Sequence, residues 1–193
     1  MGVGIVAFGS LATEPGAELA AVITQRIKAE TPFCVEFARS SRTRDGAPTV
    51  VPVREGGARV PAEVLVLNDP VSVAEGRAML YRRETGRTGG TDAGLAAGWV
   101  AELANWAGPS TCLYTALPAN IQPLTAEKLA ELAVASAAAP AGAQRRDGIS
   151  YLQQQKRRGL RTPLMPAYEA AVLARTGTGD LDSAWQVMRG RAG

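Results

Sequence analysis

Hydrophobic residues in the first third of the chain form short runs of strand length. Residues 3–8 are apolar and predict a buried strand, which the glycine-containing turn of residues 9–11 follows. The alternation over residues 33–38 is typical of a half-buried strand. The runs at 48–53 and 60–68 predict two further strands.

Between these runs, the pattern predicts one helix and one hairpin. Thr13 and Pro15 form a helix-start signal. Apolar residues then recur at helical spacing, at Leu19, Val22, Ile23 and Ile27. The segment EGGAR at residues 55–59 predicts a hairpin connection between the strands on either side of it.

A capping-box pattern marks the next helix. Ser72 stands at the N-cap and Glu75 three residues later, and the helix is expected to end near Gly86. Two further strand patterns follow, at residues 98–107 and 110–117.

From Leu124 onward the pattern is helical, with Thr125, Asp147 and Asp180 or Asp182 as candidate N-caps. Strands come first and helices last, which favours an α+β fold. We expect an antiparallel curved sheet or a small mixed barrel flanked by helices. The prediction is a single domain over residues 1–193, with residues 1–117 as the barrel core and residues 124–193 as the C-terminal helices.

The composition excludes several kinds of active site. The chain has 193 residues and no histidine, which rules out Ser-His-Asp hydrolysis, Cys-His proteases and histidine-containing metal sites within it. Proton transfer near neutral pH would fall to a carboxylate, lysine, tyrosine or cysteine. The net charge of +3 is mildly basic and does not by itself indicate nucleic-acid binding.

Cys34 and Cys112 are the only cysteines, and both lie in strand-like runs. Buried apolar thiols in a reducing cytoplasm are the simplest interpretation. No apolar run reaches the length of about 20 residues that a membrane-spanning helix needs. We therefore expect a cytoplasmic protein without a membrane partner.

Two features can carry chemistry. The glycine turn of residues 9–11 leaves backbone N–H groups that can hold an anion or a developing oxyanion, although an ordinary strand-to-helix connection has the same sequence. Glu84 lies near the predicted end of the capped helix, where it faces the negative end of the helix dipole, and it is a candidate general base. A solvated glutamate at a charged helix end is the alternative.

Basic and aromatic residues supply further candidates. Arg39 and Arg44, in a polar stretch leaving a strand, can receive carboxylates or lie in a solvated loop. Tyr114 offers a site hydroxyl or simply packs in its strand. The basic stretch at residues 144–161 can contact phosphates, but a solvated helix face explains it without a partner.

Taken together, these segments resemble the γ-glutamylcyclotransferase superfamily and most nearly its ChaC-like branch. FGSL at 8–11 resembles the family's YGSL loop, with Phe8 in place of the tyrosine, and LYRRETG at 80–86 resembles the helix ending in an RE motif. The further matches, in family order, are EFARSSRTRDGAPTVVPV at 36–53, CLYTAL at 112–117 and DGISYL at 147–152.

The resemblance implies a reaction and roles for residues. In this reaction the α-amine of a γ-glutamyl group attacks its own γ-carbonyl, releasing 5-oxoproline and an amine, with no metal and no cofactor. Glu84 would be the catalytic base. The γ-glutamyl moiety would be held by Gly9, Ser10 and Leu11, with further substrate contacts from Arg39, Arg44 and Tyr114.

The substrate would be glutathione or another γ-glutamyl compound, such as a γ-glutamylamine or a γ-glutamyl-protected biosynthetic intermediate. The second hypothesis is that the fold serves as a non-catalytic binding module, with the basic stretch at 144–161 as its contact surface.

Overall fold

A five-stranded sheet and a two-stranded sheet are formed in the computed structural model, which describes residues 2–86 and 98–191. The strands, in chain order, are β1 (Val3–Ala7), β2 (Ile23–Glu30), β3 (Val35–Ser41), β4 (Ala47–Pro52), β5 (Pro61–Leu67), β6 (Val100–Ala104) and β7 (Thr111–Thr115). The α-helices are α1 (Ala17–Ala20), α2 (Val73–Thr85), α3 (Ala126–Ala138), α4 (Pro140–Ala143), α5 (Gly148–Arg157), α6 (Met165–Thr176) and α7 (Leu181–Arg191). The chain is α+β, as the sequence predicts.

Contacts between residues divide the chain into two units. The first consists of Met1–Pro32 and Pro61–Pro118, and the second of Phe33–Val60 and Ala119–Gly193. Strands β3 and β4 therefore belong to the second unit together with helices α3 to α7. The single domain over residues 1–193 stays a prediction.

The first unit is built on the sheet β2-β5-β1-β7-β6. Strands β1 and β7 are parallel, and the other neighbouring pairs are antiparallel. The barrel predicted from the sequence is not closed by the described residues, because β2 and β6 remain the two edges of this sheet. Strands β3 and β4 pair with each other in the second sheet instead of extending the first.

The helix predicted from Thr13 onward is wrong over most of its length. Only Ala17–Ala20 is α-helical, and Ile23–Glu30 forms β2. This strand pairs with β5 from Ile23↔Leu67 to Glu30↔Pro61. Its β-branched residues suit a strand, and pairing with β5 outweighs a helical spacing that only four apolar residues suggested.

The predicted hairpin at residues 55–59 is also wrong. Strand β4 pairs with β3, whereas β5 pairs with β1 and β2. Within the second unit, Ala58 forms a bridge to Val35, with hydrogen bonds of 2.8 and 3.1 Å between their backbones. The segment therefore bridges to β3, and it does not form a hairpin between β4 and β5.

Helix α2 covers one face of the five-stranded sheet. At Gly76 it lies so close that an added Cβ would be 3.2–3.4 Å from side-chain atoms of Val3, Leu67 and Leu113. Leu80, fully buried, belongs to the same hydrophobic cluster. Because these residues come from β1, β5 and β7, the helix is held against the middle of the sheet.

The second unit packs its helices around a core that includes polar groups. Asp147 is fully buried and caps α5 by accepting hydrogen bonds from the backbone of Ile149 and Ser150. The buried Glu36 carboxylate accepts hydrogen bonds from Thr162 Oγ1 at 2.5 Å and from the Leu164 backbone at 3.0 Å. Buried polar groups with complete hydrogen bonding of this kind fix the arrangement of the elements they join.

The capping box predicted at Ser72 is confirmed and leads to a stability prediction. Ser72 Oγ accepts from the Glu75 backbone at 3.2 Å, and the Glu75 carboxylate accepts from the Ser72 backbone at 2.8 Å. Because alanine cannot accept the first of these bonds, Ser72→Ala should lower the free energy of unfolding by about 1 kcal/mol. Urea denaturation measures this change in the free energy of unfolding. An unchanged midpoint would contradict a stabilising box.

Candidate functional site

The chain turns sharply where β1 ends. Phe8 is extended, and Gly9 has a φ of +58°, in the left-handed region that favours glycine. A short 3₁₀ helix over Gly9–Ala12 follows. Leu11 is buried in the core cluster and anchors this turn, while Ser10 is half-buried. The first N–H groups of such a turn have no partner within it, which makes them available to an oxygen atom.

Helix α2 carries Glu84 to the edge of the sheet. Glu84 follows the buried Leu80 by four residues, so both lie on the face of the helix that packs on the sheet. Its side chain is 15% exposed. The helix ends one residue after Thr85, where Gly86 is left-handed with a φ of +67°, as the sequence predicts. The sequence alternative of a fully solvated Glu84 therefore does not describe its surroundings.

Arg83 joins Glu84 to the glycine turn. Its guanidinium donates to Glu84 Oε1 at 2.5 Å and to Ser10 Oγ at 3.2 Å. It also donates to the Glu14 carbonyl oxygen at 2.9 and 3.1 Å. One planar, permanently charged group thus holds the helix end and the turn together.

Arg83 is not among the site residues predicted from the sequence, where it is one of three arginines close to Glu84. The neighbouring Arg82 instead pairs with Glu18, and Arg87 lies outside the described residues. The signal that could have singled out Arg83 is its position three residues after Leu80, on the side of α2 that faces the sheet.

Tyr114 lies on β7, but its side chain projects from the face of the sheet opposite to α2. Leu113 packs toward α2, and side chains alternate along a strand, so Cys112 and Tyr114 point away from the helix. Glu84 and Tyr114 are therefore not brought together on one face. A contact of Tyr114 with substrate stays a prediction.

Arg39 and Arg44 belong to the second unit and are described there. Arg39 is half-buried on β3, opposite Thr49 of β4. Arg44 is 9% exposed, donates to the Arg146 carbonyl oxygen at 3.3 Å and lies 5.2 Å from the centre of the Tyr151 ring. These contacts support the packing of α5, and a role of either arginine in binding carboxylates stays a prediction.

Three of the six basic residues in the stretch at residues 144–161 pair with acidic side chains. Arg145 and Arg157 both pair with Asp182, and Lys156 pairs with Glu169 at 2.6 Å. A cleft of about 400 Å³ beside these pairs is lined by both signs of charge. This arrangement weakens the case for a uniformly basic contact surface.

Both cysteines are free thiols. Cys112 is fully buried, as predicted, and burial raises the pKa of its thiol to about 11. For Cys34 the prediction of a buried thiol in a strand is wrong, since it lies just before β3, which begins at Val35, and is half-buried. Cys112 therefore stays protonated near neutral pH and is unsuited to act as a nucleophile there.

Among the described residues, no three histidine, cysteine or acidic side chains form a group able to hold a metal ion. No helix in the described part of the chain is long and apolar enough to cross a membrane. Comparison with protein-family models and with curated proteins found no match to this chain.

Proposed function

We propose that this protein is a γ-glutamylcyclotransferase that converts a small γ-glutamyl compound to 5-oxoproline and an amine. One observation carries the proposal: the shielded Glu84 carboxylate is joined through the Arg83 guanidinium to Ser10 of the glycine turn, at 2.5 and 3.2 Å. The carboxylate and the turn belong to the two segments, 80–86 and 8–11, that most resemble the ChaC-like branch. The finer assignment of the fold to that superfamily is part of the same proposal.

The reaction needs proton transfer more than it needs binding energy. Nucleophile and electrophile belong to one molecule, so bringing them together has a small entropic cost. Glu84 removes a proton from the α-ammonium group of the substrate, and the freed amine attacks the γ-carbonyl carbon. The new C–N bond closes a five-membered ring, and the carbonyl oxygen becomes an oxyanion.

Backbone N–H groups of the glycine turn would stabilise that oxyanion. Collapse of the intermediate breaks the original amide C–N bond. Over the cycle two protons leave the α-nitrogen and two reach the leaving nitrogen, with Glu84 as the carrier. The products are 5-oxoproline and a protonated amine, and no step requires an imidazole.

The resemblance also assigns residues that contact the substrate. By resemblance to the family, we assign Gly9, Ser10 and Leu11 to the γ-glutamyl moiety. The proposed compartment is the cytoplasm, which agrees with two free thiols.

The test is a substrate panel. The purified full-length protein is incubated with glutathione, γ-glutamyl amino acids and γ-glutamylamines, and 5-oxoproline is quantified over time. We expect release from at least one compound, at a rate proportional to enzyme concentration. No release from any member of the panel would contradict the proposal and favour a non-catalytic binding module.

A further inference from the structure

A buried hydroxyl without a hydrogen-bond partner lies at the end of β7. Thr115 is the last residue of that strand and is 8% exposed. No group among the described residues forms a hydrogen bond with its Oγ1. Burying a hydroxyl unpaired is unfavourable for folding, and most buried polar side chains have a partner, so this exception requires an explanation.

The side chain of Thr115 lies on the face of the sheet that α2 covers. Thr115 is paired with Val100 of the antiparallel strand β6, and residues paired in this way project to the same face. Val100 belongs to the hydrophobic cluster beneath α2. Leu113, two residues earlier on β7, packs against Gly76 of the helix.

The end of β7 is next to the glycine turn. Strands β1 and β7 are parallel, so their carboxyl ends meet at one edge of the sheet. Continuing the register from Ile5↔Leu113 brings Ala7 level with Thr115. Ala7 has only a methyl group and Gly9, where the turn begins, has no side chain, so neither side chain offers the hydroxyl a hydrogen-bond partner.

Helix α2 runs toward the same edge. It approaches Val3 at Gly76, near the start of β1, and reaches Ser10 through Arg83, beyond the end of β1. Glu84 therefore arrives at the edge where Thr115 and the glycine turn lie. The topology thus places three kinds of polar group at one edge of the sheet: a carboxylate, backbone N–H groups and a hydroxyl without a hydrogen-bond partner.

We propose that Thr115 Oγ1 binds the substrate by accepting a hydrogen bond from its α-ammonium group. This inference rests on the proposed cyclotransferase function. The N–H groups of the turn can donate only to an oxygen, whereas the α-nitrogen requires acceptors. Glu84 supplies one of them, as the base, and Thr115 supplies a neutral one that remains in place when Glu84 takes up the proton.

Thr115→Val removes the hydroxyl and keeps the branched shape. We expect this variant to lose about tenfold in kcat/KM, the effect of one hydrogen bond to a charged group, mainly through KM. In the absence of substrate its apparent Tm should be unchanged or higher by about 2–4 °C, because a buried unpaired hydroxyl is gone. A merely structural threonine would not combine weaker binding with equal or greater stability.

Three variants complete the comparison. Thr115→Ser keeps the hydroxyl and should restore most of the lost kcat/KM, and Thr115→Ala should match Thr115→Val in KM. Thr111→Val is the matched control, since it lies on the same strand and face but at the opposite end. It should leave kcat/KM unchanged.

Direct binding tests the contact with the amine. In the inactive Glu84→Gln background, calorimetry measures Kd for the best substrate of the panel and for its glutaryl analogue, which lacks the α-amine. Thr115→Val should weaken binding of the substrate about tenfold and leave binding of the analogue unchanged. Equal weakening of both ligands would overturn the inference.

The remaining outcomes separate the two proposals. If the wild-type protein releases 5-oxoproline and Thr115→Val behaves like Thr111→Val, the Thr115 inference fails and the cyclotransferase proposal stands. If the wild-type protein is inactive on the whole panel, the cyclotransferase proposal fails and the role of Thr115 in it fails as well.

Discussion

Glu84→Gln should abolish most 5-oxoproline formation while the protein keeps its fold. Glutamine matches glutamate in size and can still accept a hydrogen bond from Arg83 through its amide oxygen. It cannot take up a proton from the α-ammonium group. Since general acid–base catalysis contributes about 10²–10⁴-fold, kcat should fall by a factor in that range, measured as 5-oxoproline released from the best substrate of the panel.

The chain offers a matched control for the loss of charge. Glu102 on β6 pairs with Arg77 of α2, the helix that also carries Glu84. Glu102→Gln therefore removes another carboxylate that binds an arginine of this helix. That variant should retain the wild-type rate. Circular dichroism and thermal unfolding show whether each variant is folded. Wild-type turnover by a folded Glu84→Gln protein would refute the assignment of the base.

Helix ends are the part of the fold that local sequence predicts well. Ser72 and Thr125 each accept a hydrogen bond from a backbone N–H group within the first turn, as their positions before helical patterns predict. Asp147 and Asp180 do the same for α5 and α7. These signals involve residues within three positions of each other, so no tertiary information is needed to read them.

The segment between residues 13 and 30 shows where this kind of reasoning stops. Leu19, Val22, Ile23 and Ile27 fit a helical period, yet β2 takes up most of the segment. The deciding interaction is the pairing of β2 with β5, between residues as far apart as Ile23 and Leu67. Spacing alone cannot reveal such a partner, because a few apolar residues can fit both the helical period and the alternation of a strand.

In the candidate site, too, the local features can be predicted from the sequence and the long-range contacts cannot. The glycine turn and Glu84 are recognisable from short motifs, and the caps of α2 predict where its end lies. The contact between Arg83 and Ser10 spans 73 residues and depends on how α2 packs on the sheet. The unpaired Thr115 hydroxyl is likewise apparent only once burial is known, although the alternation in CLYTAL already places it on the face of Leu113.

Arg83→Met should lower kcat about 10–10²-fold with a smaller change in KM. Methionine keeps part of the aliphatic stem but loses every hydrogen bond to Glu84, Ser10 and the Glu14 carbonyl oxygen. The carboxylate and the turn are then no longer held in register, and a displacement of about 1 Å from a productive arrangement has an effect of this size. Steady-state kinetics with the best substrate separates kcat from KM.

Arg82→Met is the control, because it removes an arginine from the adjacent position of α2 whose partner is the exposed Glu18. Arg83→Lys should recover only part of kcat, since an ammonium group can pair with Glu84 but cannot donate to three partners in the plane of a guanidinium. Full recovery by lysine would mean that only the charge matters, and equal activity of the two methionine variants would mean that Arg83 does not position the base. Partial recovery, with Arg82→Met near wild type, is the result expected if the guanidinium aligns Glu84 with the glycine turn.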